Sequence, residues 1–145
     1  MLIREWKFED ILKLSELEKE CFATDLWSYR TFASCYENKC FYGAVAEENG
    51  VVIGFGGVTV AGDSCDVENL FVSEEFRRCG TGTALLENII CVAAERGAEK
   101  CFLEVRVSNA AAMLTYLKGG FSGLYARPRY YSDGEDCLVM IKKLN

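Results

Sequence analysis

The spacing of apolar residues changes repeatedly along the chain, and each change predicts a new helix or strand. A helical pattern is carried by Phe8, Ile11, Leu12, Leu14, Leu17 and Phe22. Later, continuous apolar runs on both sides of Glu48-Asn49-Gly50 are typical of a β-hairpin. The elements predicted for the first half are a strand over 2–6, a helix over 8–22, a helix that begins near Ser28, and strands over 41–46 and 51–60.

The second half alternates strands with helices. A turn at Ala61-Gly62-Asp63 leads into a strand that ends at Val72. The elements predicted after it are a helix over 82–95, a strand over 100–107, a helix over 110–118, and strands around 120–128 and 136–143. The strands on either side of the 82–95 helix are expected to be parallel, because such a crossover returns the chain in the same direction. The order predicts one α/β domain over 1–145, with a mixed sheet.

The composition restricts the classes of protein to which the chain can belong. With 145 residues, half of them hydrophobic, and a net charge of −6, the chain fits a soluble globular protein and has no basic surface for nucleic acid. No apolar run approaches the roughly 20 residues that a membrane span needs. Because the first residues lack the pattern of a signal peptide, a cytoplasmic location is expected.

The eight cysteines and the absence of histidine limit the chemistry further. No two cysteines have the close spacing of a zinc site, so no metal is predicted, and the thiols are expected to act as small hydrophobic residues. Cys79 is the exception, because two arginines and a helix start beside it favour a reactive thiol. Acid–base chemistry must use Glu, Asp, Tyr, Cys or Lys, which excludes every histidine-dependent triad.

The segment Arg77-Arg78-Cys79-Gly80-Thr81-Gly82 lies between a predicted strand and a predicted helix. A glycine-rich turn that opens a helix presents backbone N–H groups without intrahelical partners, at the positive end of the helix dipole. Together with the two arginines, these groups form a candidate cradle for a phosphate. The alternative is an ordinary strand-to-helix turn with solvated arginines.

Two blocks of sequence resemble the GCN5-related N-acetyltransferase (GNAT) family. Residues 77–82 match its acetyl-CoA signature, Arg/Gln-x-x-Gly-x-Gly/Ala. The block Leu103–Ala112, followed by Tyr116 and Gly120-Phe121, resembles the RimI-type ribosomal-protein-alanine N-acetyltransferases, as do Trp27-Ser28 and the tail 129–136. The resemblance implies a mostly antiparallel mixed sheet with a central parallel strand pair flanked by helices. It also implies acetyl-CoA as co-substrate.

The resemblance assigns roles to individual residues. Glu104 is implied to be the general base, through water, and Tyr116 the general acid for the departing thiolate. The implied acetyl-CoA contacts are Leu70, Phe71, Val72, Arg77, Arg78, Cys79, Gly80, Thr81, Gly82, Thr83 and Asn109. Trp27, Tyr130 and Tyr131 are implied to bind the acceptor. Taken alone, Glu104 also fits a solvated strand position and Tyr116 a packing position.

Proton affinities favour an α-amine as the acceptor. An α-amine has a pKa of about 7.7–8.0 and lysine about 10.4, so a far larger share of α-amines is neutral at pH 7. A carboxylate that acts through water is better matched to the weaker base. The predicted function is therefore acetylation of a protein N-terminus, with a ribosomal protein as a candidate acceptor. Lysine side chains or small-molecule amines are the alternative acceptors, and a non-catalytic acyl-CoA-binding module is the alternative of another class.

Overall fold

A computed structural model describes residues 1–144 of the chain. Its helices and strands follow the predicted order: β1 (Leu2–Glu5), α1 (Ile11–Cys21), α2 (Tyr29–Glu37), β2 (Phe41–Glu48), β3 (Val51–Ala61), β4 (Ser64–Val72), α3 (Thr81–Glu95), β5 (Lys100–Arg106), α4 (Ala110–Lys118), β6 (Ser122–Arg127) and β7 (Cys137–Lys143). The prediction for the first helix is wrong at its start. A 3-10 turn covers Phe8–Asp10, and Phe8 and Leu12 are exposed rather than part of the core.

All the strands join one seven-stranded sheet in the order β1-β2-β3-β4-β5-β7-β6. Every neighbouring pair is antiparallel except β4 and β5, which are parallel and are connected through α3. The mostly antiparallel sheet with one central parallel pair is therefore confirmed.

The parallel strands β4 and β5 are paired over only a short length and then diverge. Strands β4 and β5 are paired only from Ser64 opposite Lys100 to Asp66 opposite Phe102. On the other side of β4, Val67 and Asn69 pair with consecutive residues of β3, so Glu68 is the extra residue of a β-bulge. A bulge bends its strand, and this one lies where β4 leaves β5. The gap between residues 67–72 of β4 and 103–106 of β5 is called the β4–β5 fork below.

Helices cover both faces of the sheet. On one face, Leu85 and Ile89 of α3 and Tyr116 of α4 belong to one buried cluster. On the other face, α1 and α2 pack over an aromatic cluster that contains Trp6 and Phe55, whose rings are 5.1 Å apart. This face is tightly packed, because a Cβ at Gly43 would lie 2.8 Å from the Trp6 ring.

The cysteines are all free thiols and differ in burial. The prediction of small hydrophobic residues is confirmed for Cys65, Cys101 and Cys137, which are buried, and is wrong for Cys40 and Cys91, which are exposed. Within residues 1–144, no helix is long and apolar enough to cross a membrane.

Candidate active site

The β4–β5 fork opens into a cleft of about 200 Å³. The lining includes the predicted residues Trp27, Leu70, Glu104, Asn109, Tyr116 and Tyr131, and also Glu18, Asn69 and Arg106, for which the sequence predicted no role. A larger cleft of about 290 Å³ runs along α3 toward the end of β7, and Thr83 alone of the predicted site residues lines it. The two side chains predicted to transfer protons, Glu104 and Tyr116, therefore both line the smaller cleft.

Tyr116 presents a protonated hydroxyl to the cleft. Its side chain is buried and packs edge-on against Phe121, with 6.0 Å between ring centroids. Burial raises the pKa of Tyr116 to about 12, so the hydroxyl is a hydrogen-bond donor at neutral pH. Within residues 1–144 this hydroxyl makes no hydrogen bond, although no fully buried side-chain polar atom lacks a partner. It is therefore open to the cleft and free for a ligand.

The raised pKa alters the energetics of the acid role. An unperturbed tyrosine, with a pKa of about 10, would protonate a thiolate of pKa about 8.5 at a cost of roughly 2 kcal/mol. With the pKa of Tyr116 at about 12, the cost rises to roughly 5 kcal/mol for a thiolate that keeps its aqueous pKa. A thiolate in the same buried cleft is also desolvated, which raises its own pKa and narrows the difference.

Glu104 lies in β5 between Leu103 and Val105, both buried on the opposite face of the sheet. Its Oε1 accepts a hydrogen bond of 3.0 Å from the Tyr130 hydroxyl, and its Oε2 lies 3.4 Å from Nε of Arg127. The side chain is 38 % exposed, so water reaches the carboxylate. The solvated face of β5 therefore also lines the cleft, so exposure of Glu104 is compatible with its predicted role as a base.

The backbone of β4 offers a free edge to the fork. The Ser73 N–H donates to the Ile53 carbonyl of β3 across 2.7 Å, and backbone groups alternate sides along an antiparallel strand. Leu70 and Val72 therefore direct their N–H and carbonyl groups toward β5, and on this side β4 pairs with no strand of residues 1–144 beyond Asp66. The Val72 carbonyl already accepts a hydrogen bond from Arg77. The free groups suit the amides of an extended ligand, while the Phe71 side chain is buried in the core.

The loop before α3 has the geometry of an anion cradle. Arg78 and Gly80 adopt left-handed backbone conformations, with φ of 64° and 81°. Inside the described chain, no backbone N–H of residues 78–83 finds a carbonyl partner. Such consecutive free N–H groups at a helix N-terminus form an anion-binding concavity. A Cβ at Gly82 would meet only a Val72 methyl at 3.8 Å, so the space beside Gly82 is open.

Other predicted loop contacts have partners within the protein. Arg77 donates its backbone N–H to Glu74 and its Nε to the Val72 carbonyl at 2.9 Å, which braces the loop against β4. Thr81 is buried, and its hydroxyl faces the Met1 sulfur, so its backbone N–H alone remains for a ligand. Cys79 is exposed at the loop surface.

Asn109 connects the cleft to the start of α4. Its Oδ1 accepts a hydrogen bond of 3.1 Å from the Ala112 N–H, so Asn109 is the N-cap of α4. Because Oδ1 faces the helix, the amide nitrogen is left for a ligand in the cleft that Asn109 lines.

Arg106 joins the two loops that border the cleft. Its guanidinium lies 2.8 Å from Asp25 in the α1–α2 loop and 2.9 Å from both Asp133 and Glu135 in the β6–β7 loop. It also stacks over the Tyr131 ring, 4.1 Å from the centroid. The sequence signal that could have pointed to Arg106 is its position two residues after Glu104, which places both charged side chains on the same face of β5.

The predicted acceptor-side aromatics have different environments. Trp27 packs edge-on against Phe32, with 5.2 Å between ring centroids, and also lines the cleft. Tyr131 is partly buried and lines the cleft, whereas Tyr130 is 46 % exposed and reaches the site through its hydrogen bond to Glu104. Burial raises the pKa of Tyr131, so its hydroxyl stays protonated.

Glu18 is a buried carboxyl that sequence reasoning missed. It is 1 % exposed, accepts a hydrogen bond from the Trp27 backbone N–H, and accepts a second, of 2.5 Å, from the Asn69 side-chain amide. Burial raises the pKa of Glu18, and these two hydrogen bonds oppose that rise. The available signal was a charged residue on the apolar side of α1, beside Leu14 and Leu17.

Comparison with known proteins places the chain in a family. The model of the acetyltransferase (GNAT) family matches residues 8–121. An uncharacterised N-acetyltransferase of Methanocaldococcus jannaschii is 38% identical over 99% of this chain and 92% of its own length. The ribosomal protein bS18-alanine N-acetyltransferase of Escherichia coli is 37% identical over 79% of this chain and 78% of its own length.

Solved structures agree with this assignment. The crystal structure of the ribosomal-protein-S18-alanine N-acetyltransferase from Escherichia coli is similar with a TM-score of 0.88 and 32% identity, over 99% of this chain and 94% of that one. An acetyltransferase from Salmonella typhimurium, solved with acetyl-CoA, shares the fold with a TM-score of 0.88 and 20% identity, over 100% of this chain and 94% of that one. The chain belongs to the acetyltransferase (GNAT) family and is an N-acetyltransferase.

Proposed function

We propose that this protein transfers the acetyl group of acetyl-CoA to the N-terminal α-amine of a protein. The observation that carries the proposal is the convergence of Glu104 and Tyr116 on one cleft, next to the free edge of β4. The site thus combines a water-accessible carboxylate with a protonated phenol. These are the two proton-transfer groups that acyl transfer to an amine requires.

The residues of the fork and the loop fit acetyl-CoA. The backbone groups of Leu70 and Val72 that face the fork would pair with the amides of the pantetheine arm. The N–H groups of residues 78–83 would hold the pyrophosphate, and the Asn109 amide nitrogen would donate to the ligand from the opposite wall. Bound in this way, acetyl-CoA supplies an activated thioester carbonyl.

The proposed chemistry is direct transfer. The neutral amine attacks the thioester carbonyl, the new C–N bond forms, and the C–S bond breaks. Glu104 receives the amine proton through a water molecule, and Tyr116 gives its proton to the departing thiolate sulfur. The 38 % exposure of Glu104 supports the water relay, and the raised pKa of Tyr116 keeps its proton in place at neutral pH.

Two features support an α-amine acceptor. The Escherichia coli relative is named a ribosomal protein bS18-alanine N-acetyltransferase, and it is 37% identical to this chain over the matched residues. In addition, Arg106 holds the α1–α2 and β6–β7 loops together at the border of the cleft. A peptide terminus is a slender chain that enters such a bordered cleft end-on. We propose a ribosomal protein N-terminus as the acceptor.

An acceptor comparison tests this function. One peptide begins with alanine and carries a free α-amine, and a second has the same sequence, including one lysine, but a formylated N-terminus. CoA release should be fast with the first peptide and at background with the second. Equal rates with both peptides would assign the activity to lysine, and no release with either peptide or with polyamines would favour an acyl-CoA-binding module.

A further inference from the structure

The Asn69 side chain lies at a junction of three elements. Asn69 directly follows the bulge residue Glu68 in β4 and precedes Leu70, whose backbone faces the fork. Its amide nitrogen donates to Glu18 of α1, and Glu18 also accepts the Trp27 N–H from the α1–α2 loop. Glu18, Trp27 and Asn69 all line the cleft.

This contact determines which way the Asn69 amide points. Each oxygen of the Glu18 carboxylate accepts one hydrogen bond, so the carboxylate must face the amide nitrogen of Asn69, not its oxygen. The Oδ1 of Asn69 then has no hydrogen-bond donor anywhere in residues 1–144. A side-chain carbonyl without a donor is thereby presented next to the cleft, beside the free edge of β4.

We propose that Asn69 binds the acceptor amine through Oδ1, and that Glu18 is the positioning residue that holds the amide in this orientation. The inference rests on the proposed function and adds a residue for acceptor recognition. It also defines the substrate class, because the site is built for primary amines.

The preference for primary amines follows from counting N–H bonds. A neutral primary amine has two N–H bonds. One proton leaves through water to Glu104, and the other N–H donates to Asn69 during the attack. A secondary amine, such as an N-methylated terminus, has a single N–H, which the base requires. It therefore leaves Oδ1 of the partly buried Asn69 without a donor once the bound acceptor has displaced water from it, and such an unpaired polar group is costly.

Glu18→Gln tests the orientation without removing the contact. Glutamine has one acceptor oxygen, which the Trp27 N–H engages, so its NH₂ faces Asn69 and the Asn69 amide reverses. The site then presents an N–H donor to the amine. We expect the KM for the peptide to rise about tenfold, as for one lost hydrogen bond, with the Kd for acetyl-CoA unchanged. Glu16→Gln, on the exposed side of the same helix, should match wild type.

A second experiment pairs substrate and enzyme changes. The peptides begin with alanine or N-methylalanine, and the enzymes are wild type and Asn69→Leu, in which the side chain keeps the same branching but has no polar atoms. N-methylation should lower kcat/KM much more in wild type than in Asn69→Leu, because the leucine variant has no carbonyl to leave unpaired. The part of the penalty caused by the size of the methyl group is common to both enzymes and cancels in the ratio.

Failure of the Asn69 role and failure of the proposed function give different outcomes. Equal N-methylation penalties in both enzymes, or an unchanged peptide KM in Glu18→Gln, would overturn the role of Asn69. If Asn69→Leu loses acetyl-CoA binding through misfolding, the Glu18→Gln result decides alone. If the wild-type enzyme acetylates no α-amine, the proposed function itself is overturned.

Discussion

The Tyr130 hydroxyl donates a hydrogen bond to the Glu104 carboxylate across 3.0 Å. This bond raises the pKa of Tyr130, with burial as a smaller cause, so the hydroxyl remains a donor at neutral pH. Tyr130 belongs to the β6–β7 loop, which Arg106 also holds through Asp133 and Glu135. The loop at the proposed acceptor side of the cleft therefore also orients the proposed base.

Tyr130→Phe removes the donor but keeps the ring. Without this bond one Glu104 oxygen is no longer held, so the base is less well oriented. We expect kcat to fall about three- to tenfold, with little change in acetyl-CoA affinity, as measured by steady-state kinetics and calorimetry. Tyr29→Phe, at an exposed position of α2, is the matched control. A normal kcat in Tyr130→Phe would show that Glu104 needs no support from this loop.

Tyr116→Phe removes the proposed acid and breaks no hydrogen bond within residues 1–144. Loss of a general acid typically lowers the rate by about 10²–10⁴, whereas the buried ring still packs against Phe121. We expect kcat to fall by at least about a hundredfold, with an acetyl-CoA Kd within about twofold of wild type. Equal losses in kcat and in affinity would remove the acid role.

The pH profile gives a second measurement of Tyr116. Deprotonation of the phenol abolishes its donor, and burial places that pKa at about 12. Wild-type kcat should therefore hold up to pH 10, provided that circular dichroism shows a folded enzyme there. A loss of kcat with a midpoint near an ordinary tyrosine pKa of about 10 would contradict the burial-shifted acid.

Gly82→Ala separates cofactor binding from stability. The added Cβ has only a Val72 methyl within 4 Å, at 3.8 Å, and the residue lies in the first turn of α3. Without ligand, Tm should stay the same or rise, because alanine stabilises a compatible helical position by about 0.4–1 kcal/mol. Acetyl-CoA affinity should fall at least about tenfold, since the methyl occupies the proposed pyrophosphate space. Unchanged affinity would place the pyrophosphate elsewhere.

Arg106→Ala tests the connection between the loops. Its loss leaves the carboxylates of Asp25, Asp133 and Glu135 without their shared cation and removes the stacking partner of Tyr131. We expect the peptide KM to rise about tenfold while acetyl-CoA affinity stays unchanged, because the ion pairs lie on the proposed acceptor side of the cleft. Arg30→Ala, on an exposed position of α2, is the control. A larger effect on acetyl-CoA than on peptide would contradict this assignment.

Local signals predicted most of the fold. Helices were predicted to begin near Ser28 and at residue 110, and Ser28 and Asn109 are their N-caps, each through a contact between residues only three positions apart. The order of strands and helices follows from apolar periodicity for the same reason. The glycines of the loop were recognisable because they demand a particular backbone, which Gly80 adopts.

The rest of the site depends on contacts between distant segments. The fork arises from a bulge at Glu68, which exists only in the pairing of β4 with β3. Glu18 and Asn69 are 51 positions apart, and Arg106 reaches Asp25 across 81 positions. The elevated pKa of Tyr116 likewise comes from burial by the folded chain. A local pattern can mark a single residue such as Glu18 or Arg106, but it does not identify the distant partner that the residue contacts.

The central claim is acetyl transfer from acetyl-CoA to an α-amine by Glu104 and Tyr116. The most direct test incubates the enzyme and acetyl-CoA with one peptide that begins with alanine and contains an internal lysine, and locates the product by tandem mass spectrometry. The account predicts a single acetyl group on the α-amine, and little product with Glu104→Gln or Tyr116→Phe. Acetylation confined to the lysine, or full α-amine product from both variants, would contradict it.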